Sequence, residues 1–103
     1  MVIDVDLRAE PPAVALEDPD DCKAFAVRAR GDRARLGTAL EAAGVGRVDG
    51  AGALIGVDAV RRLAAGRVGP GWEGDFAAML EYAEGKGWIA DESRAIRAHI
   101  EEA

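Results

Sequence analysis

The chain has 103 residues, a formal net charge of −6, one cysteine and one histidine, and half of its residues are hydrophobic. That length makes one domain able to bury a real core, and no apolar run approaches the roughly 18–20 residues needed to cross a bilayer. A single cysteine forms no intrachain disulfide. One Cys with one His makes no zinc site without carboxylates or a second chain, so neither a metal nor another cofactor is expected.

Residues 1–7 alternate, with Ile3, Val5 and Leu7 to one side and Asp4 and Asp6 to the other, the pattern of a half-buried strand. The acidic start lacks the basic flank and apolar centre of a signal peptide, so a cytoplasmic location without membrane contact is expected. Pro11 and Pro12 break the strand, because proline supplies no ladder donor. Ala13–Glu17 is a short extended run, and Asp18-Pro19-Asp20-Asp21 reads as a turn. Cys22–Arg30 reads as a second main strand, with Phe25, Val27 and Ala29 on one face and Arg28 on the other.

Asp32 is placed to cap a helix that Gly44 stops, with Leu36, Ala39, Leu40 and Ala43 as its inner stripe. Arg33 and Arg35 in its first turn oppose the helix dipole, which hints at partners elsewhere. Val48 and the run Ala53–Val57 look like two short strands joined at Asp49-Gly50-Ala51-Gly52. Asp58 is placed to cap a short helix through Ala65.

Gly69-Pro70-Gly71 introduces the most strongly patterned stretch. Trp72, Phe76, Met79, Leu80, Ala83 and Gly87 follow the 3.6-residue period of a helix, with Glu73, Glu81 and Glu84 largely off the stripe. Both tryptophans and the only tyrosine sit here, so the core is expected to be built against this helix. Trp88-Ile89 and Asp91-Glu92-Ser93-Arg94 read as a turn out of it. The last segment fits a helix or a strand. A strand that pairs an exposed sheet edge is favoured, with Ile96, Ala98 and Ile100 opposite Arg97, His99 and Glu101.

Together these elements predict an α+β domain spanning residues 1–103. An antiparallel or mixed sheet of four to five strands packs against about three helices, with helix Trp72–Gly85 central. Much of the apolar half is alanine, which fills space without anchoring it. Stability should therefore concentrate in residues such as Ile3, Leu16, Val27, Leu40 and Ile55, each yielding roughly 1.5–3 kcal/mol when buried.

Charge is segregated: residues 1–21 carry −6, residues 22–67 carry +5 and residues 68–103 carry −5. The plain reading is that the segments neutralise one another when folded. The functional alternative is an anionic partner on Arg28, Arg30, Arg33 and Arg35, the one plausible nucleic-acid surface. No aromatic interleaves those arginines as single-strand binding wants, so nucleic-acid binding is not expected.

No catalytic constellation stands out. Gly50-Ala51-Gly52 precedes a strand where a dinucleotide fingerprint needs a helix. Residues 66–71 precede a helix, but they lack the ending of a P-loop, and Glu73 and Asp75 would repel phosphate. A helix-turn-helix reading fails because the second helix is acidic. Cys22 and His99 would make a thiolate–imidazole pair only if their strands were neighbours, and Asp20 and Asp21 raise the thiol pKa. Ser93, the only serine, has no triad around it. The expected function is a non-enzymatic accessory or protein-interaction domain, its partner another protein or itself. The alternative is a small-molecule binder with an apolar pocket of Trp72, Phe76 and Trp88 beside the Trp72 helix.

Overall fold

The computed structural model describes residues 1–92 and 94–103; Ser93, with its place in the turn and in any serine chemistry, lies outside the described residues. The fold is α+β, as the patterning implies, but the sheet has seven strands rather than four or five. They are β1 (Val2–Asp6), β2 (Ala13–Glu17), β3 (Ala26–Arg30), β4 (Gly46–Asp49), β5 (Gly52–Gly56), β6 (Ile89–Ala90) and β7 (Ala95–Glu102). Three α-helices accompany them: α1 (Leu36–Ala42), α2 (Val57–Ala64) and α3 (Trp72–Gly85). The sheet runs β2-β1-β3-β7-β5-β4, with β6 pairing β7 off that path. The strands with the weakest hydrophobic signal are β4, expected around Val48, and β6, read from sequence as part of a turn. Gly46–Asp49 and the two-residue Ile89–Ala90 join through backbone hydrogen bonds, which need no side-chain pattern.

β1 pairs antiparallel with β2 and parallel with β3, and β3 is parallel to β7. β5 is antiparallel to both β7 and β4. The closing strand therefore lies in the middle of the sheet instead of along an edge. Its length lets it hold partners on both sides at once: β5 on one, and β6 followed by β3 on the other.

Register carries Ile3, Leu16, Val27, Ala98, Ala53 and Ile55 onto a single face, each of them buried. Leu36 and Leu40 of α1, Val60 of α2 and Phe76 of α3 join them in one continuous core. Asp32 does cap, but its Oδ1 accepts from Ala34 N at 3.0 Å to start a 3-10 turn, Arg33–Arg35, ahead of α1. Gly44 ends that segment at φ +67°, where a side chain would be strained. α2 follows β5 directly and also touches β2; Val57 belongs to the helix and not to the strand, and Asp58 lies inside the first turn, leaving Gly56 at the cap position without a side-chain cap.

The opposite sheet face carries Asp4, Arg28, Arg30, Arg97 and His99. Its one buried large residue is Leu54, which register sets between Arg47 and Arg97. Those arginines reach Asp91 and Asp49 at 2.9 and 2.6 Å, so their apolar stems flank Leu54 while their charges are matched.

α3 has the bounds that its periodicity predicts, but it is not the centre of the core. Trp72, Phe76 and Ala83 are its buried residues; Met79 and Leu80 are half-buried and Tyr82 is 62% exposed. It is fixed near its ends. Trp72 Nε1 donates to the Pro19 carbonyl at 2.6 Å, and Trp88 N donates to Ala83 O at 2.9 Å. No helix is long and apolar enough to cross a membrane among the described residues.

Candidate functional site

A gap in strand pairing borders a broad concavity of the described residues. On one edge of β7, β6 pairs Ala95 and Ile96, while β3 pairs from His99 onward. Arg97 and Ala98 fall between them, because the residues ahead of β3, Ala24 and Phe25, leave the sheet. The strand predicted over Cys22–Arg30 thus forms only from Ala26; residues 22–25 instead build a wall. α3 passes over this gap, and the result is an open groove of about 1230 Å³.

Phe25, Met79, Tyr82 and Trp88 supply its large apolar surface, with Ile96 and Ala98 on the sheet side. The Tyr82 and Trp88 rings meet edge-on, centroids 6.0 Å apart. Trp88 is 43% exposed, so this pair is a wet aromatic surface and not a piece of core. Exposed large apolar groups gathered in one patch are far less common on protein surfaces than single exposed residues.

The polar lining is unequal. Asp20, Asp21 and Asp75 gather around Cys22, while Lys23, Arg97 and His99 complete the lining. Burial pushes the Cys22 thiol pKa up, and the carboxylate of Asp75, then those of Asp21 and Asp20, push it further against the opposing N-terminal ammonium. Such a thiol stays protonated and is a poor nucleophile. Cys22 and His99 do line one groove. They share no hydrogen bond among the described residues, and His99 Nε2 faces Glu101 at 3.7 Å.

Of the pocket residues expected from sequence, only Trp88 lines the groove. Trp72 and Phe76 are stacked against each other within the core, centroids 4.8 Å apart. The residues missed were Met79 as a groove residue, Tyr82 and Phe25. A second helical stripe runs through Asp75, Ala78, Met79 and Tyr82, at steps of three, one and three, beside the one occupied by Trp72 and Phe76. Read as a face of its own, it would have signalled the groove.

The basic cluster is neutralised inside the chain. Arg28 Nη1 lies 3.1 Å from Glu17 and 3.4 Å from Asp4, and Arg30 Nε lies 2.8 Å from Asp4. Arg33 faces Glu102 at 3.7 Å, and Arg35 faces Glu10 at 3.5 Å while donating to Leu7 O at 2.9 Å. Among the described residues no three His, Cys, Asp or Glu side chains converge as a metal-holding group.

The chain matches no protein-family model, and comparison with curated proteins and with solved structures finds no match.

Proposed function

We propose that this chain is a non-enzymatic interaction domain that receives a protein partner in the groove between α3 and β7. The observation that carries the reading is the exposed Tyr82–Trp88 pair, continuous with Met79 and Phe25 in one open trough. Aromatic and Met side chains are enriched where proteins meet, because they bury large area with little loss of rotamer freedom. At about 1230 Å³ the trough exceeds the roughly 300–1,000 Å³ typical of small-molecule sites. Its open side would leave much of a small ligand in water, whereas a peptide or helix would cover it.

The test is site-specific photo-crosslinking in the cells that express the protein, with p-benzoylphenylalanine at position 79 and, as control, at position 41 on the exposed side of α1. A discrete adduct of protein size is expected from position 79 and not from 41. An adduct doubling the 10.8 kDa chain would identify the partner as a second copy. Adducts of a few hundred daltons would transfer the groove to the small-molecule reading, and no position-dependent adduct would overturn both.

A further inference from the structure

Among the described residues the guanidinium groups are taken up within the chain, so none is free to answer the acids of the groove. Arg8, Arg28, Arg30, Arg33, Arg35 and Arg47 all have a carboxylate within 4 Å, as do Arg61 and Arg97. Arg62, Arg67 and Arg94 donate to backbone carbonyls instead. In the groove, Asp20 and Asp75 have no base within that distance among the described residues, and Asp21 has only the N-terminal ammonium at 3.9 Å. The Trp72–Pro19 hydrogen bond brings the first turn of α3, with Asp75, to the loop of Asp20 and Asp21, so the three acids share one end of the trough. Of the basic side chains in the lining, Arg97 is engaged by Asp49 at 2.6 Å and His99 faces Glu101 at 3.7 Å, which leaves Lys23 against three acids, while Lys86 lies 5.5 Å from the centroid of the Tyr82 ring.

This imbalance constrains what can bind. A partner that fills the trough from Met79, Tyr82 and Trp88 to its acidic end also covers Asp20 and Asp75, which are exposed in the free chain. Desolvating an unpaired carboxylate costs several kcal/mol unless a cation and hydrogen bonds replace the lost water. A neutral or acidic segment bears that cost in full; a cationic one offsets it and is steered in by the field of the acids.

Resting on the groove reading above, we infer that the occupant is a cationic amphipathic segment, its apolar side chains on Met79, Tyr82 and Trp88 and a Lys or Arg set against Asp20 and Asp75. Spacing sharpens the partner. Asp75 and Tyr82 are two helical turns apart on α3, about 10 Å at 1.5 Å per residue. A helical partner therefore carries its base about seven residues from its bulkiest apolar residue.

Two synthetic 18-residue peptides test this, sharing one Leu/Ala face and bearing either Lys or Glu at every polar position. Labelled peptide is titrated with the full chain and followed by anisotropy at 0.1 M salt. The Lys peptide is expected to bind at least tenfold tighter than the Glu peptide. That ratio should fall towards one in Asp20→Asn/Asp75→Asn and persist in Glu81→Gln/Glu84→Gln, which removes equal charge outside the groove. Melting curves confirm that both variants fold. Equal affinity for the two peptides, or a Lys preference that Asp20→Asn/Asp75→Asn leaves intact, would overturn the cationic assignment while the groove reading stands. No binding by either peptide, or binding unaffected by Tyr82→Ala/Trp88→Ala, would overturn the groove itself.

Discussion

Trp72 Nε1 donates to the carbonyl of Pro19 at 2.6 Å, so the start of α3 is tied to the loop that forms the acidic end of the groove. The same indole stacks on Phe76, which is fully buried. Phe76→Ala should therefore cost about 3–5 kcal/mol, the usual loss for a large aromatic truncated in a core. Trp72→Phe keeps the ring contact and deletes the donor, for an expected loss of about 1–2 kcal/mol. Leu80 is only half-buried, so Leu80→Ala should cost less than about 2 kcal/mol, and exposed Glu81→Ala under about 0.5 kcal/mol. Urea midpoints at constant m-value check the series. Equal losses at positions 76 and 80 would mean that α3 is packed along its whole length.

The four arginines of the basic middle segment already face Asp4, Glu10, Glu17 or Glu102. Replacing Arg33 and Arg35 together by Gln should change stability by less than about 1 kcal/mol, since part-exposed pairs contribute little. Labelled single- and double-stranded DNA and RNA, titrated across a salt series, should show no binding at micromolar protein near 0.15 M salt. Tight binding with a steep salt slope, abolished by the double substitution, would instead make this face a nucleic-acid surface.

How much of this was legible depended on whether the determinant was local. The alternation Ile3-Asp4-Val5-Asp6, the Asp49-Gly50 turn and the stripe of α3 are short-range signals, and each led to the element observed. Sheet order was not local. Nothing within Ala95–Glu102 says that it lies between β3 and β5, because that position is set by partners about 40 to 70 residues earlier. The groove failed for a related reason. Phe25 alternates correctly with Val27, yet a strand there needs a neighbour, and β7 pairs with β3 only from Ala26. Tryptophan and phenylalanine composition could not separate Trp72, stacked in the core, from Trp88, left in water.

Cys22 offers a direct probe of the acidic end of the groove. Burial raises its pKa first and the Asp75, Asp21 and Asp20 carboxylates add to it, so the thiolate is scarce near neutral pH. Alkylation by iodoacetamide at pH 7.5 should run slower than that of free cysteine. Removing a negative charge lowers the thiol pKa, so Asp75→Asn should speed the reaction and shift its pH profile down. Labelling faster than free cysteine, or a rate indifferent to Asp75, would place the carboxylates away from the thiol.

Acid sensitivity follows from two exposed ion pairs. The Arg47 side-chain hydrogen bond holds the Asp91 carboxyl below its usual range, and the Arg8 side chain does the same for Asp6. A carboxyl whose folded pKa is depressed stabilises the fold fully above its unfolded value, near pH 4. As pH falls, the unfolded chain takes up protons first, and the contribution is gone once the folded pKa is passed. Stability should thus decline below about pH 5, and Asp91→Asn should flatten part of that decline. Urea midpoints from pH 7 to pH 3 measure it. Identical slopes for Asp91→Asn and the parent would remove this pair from the acid response.

Two glycines should respond in opposite directions to the same substitution. Gly46 lies in edge strand β4 opposite Ile55, and a Cβ there would collide with Leu54 O and sit 3.0 Å from Ile55 Cα. Both are backbone atoms of a strand held in the sheet on either side, so neither can yield cheaply. Gly46→Ala should cost at least about 1–3 kcal/mol, as overpacking does, and should free β4 from the sheet edge. Gly74 is exposed within α3, has negative φ and has no atom within 4 Å of a built Cβ. There, Gly74→Ala removes backbone entropy from the unfolded chain and improves helix propensity without a clash. It should stabilise the domain by about 0.4–1 kcal/mol. Urea midpoints and amide exchange at Val48 and Ala53 separate the cases: faster exchange only in Gly46→Ala is expected. A neutral Gly46→Ala would show that β4 sits further from β5 than the register requires, and a destabilising Gly74→Ala would show that α3 is covered on the side described as open.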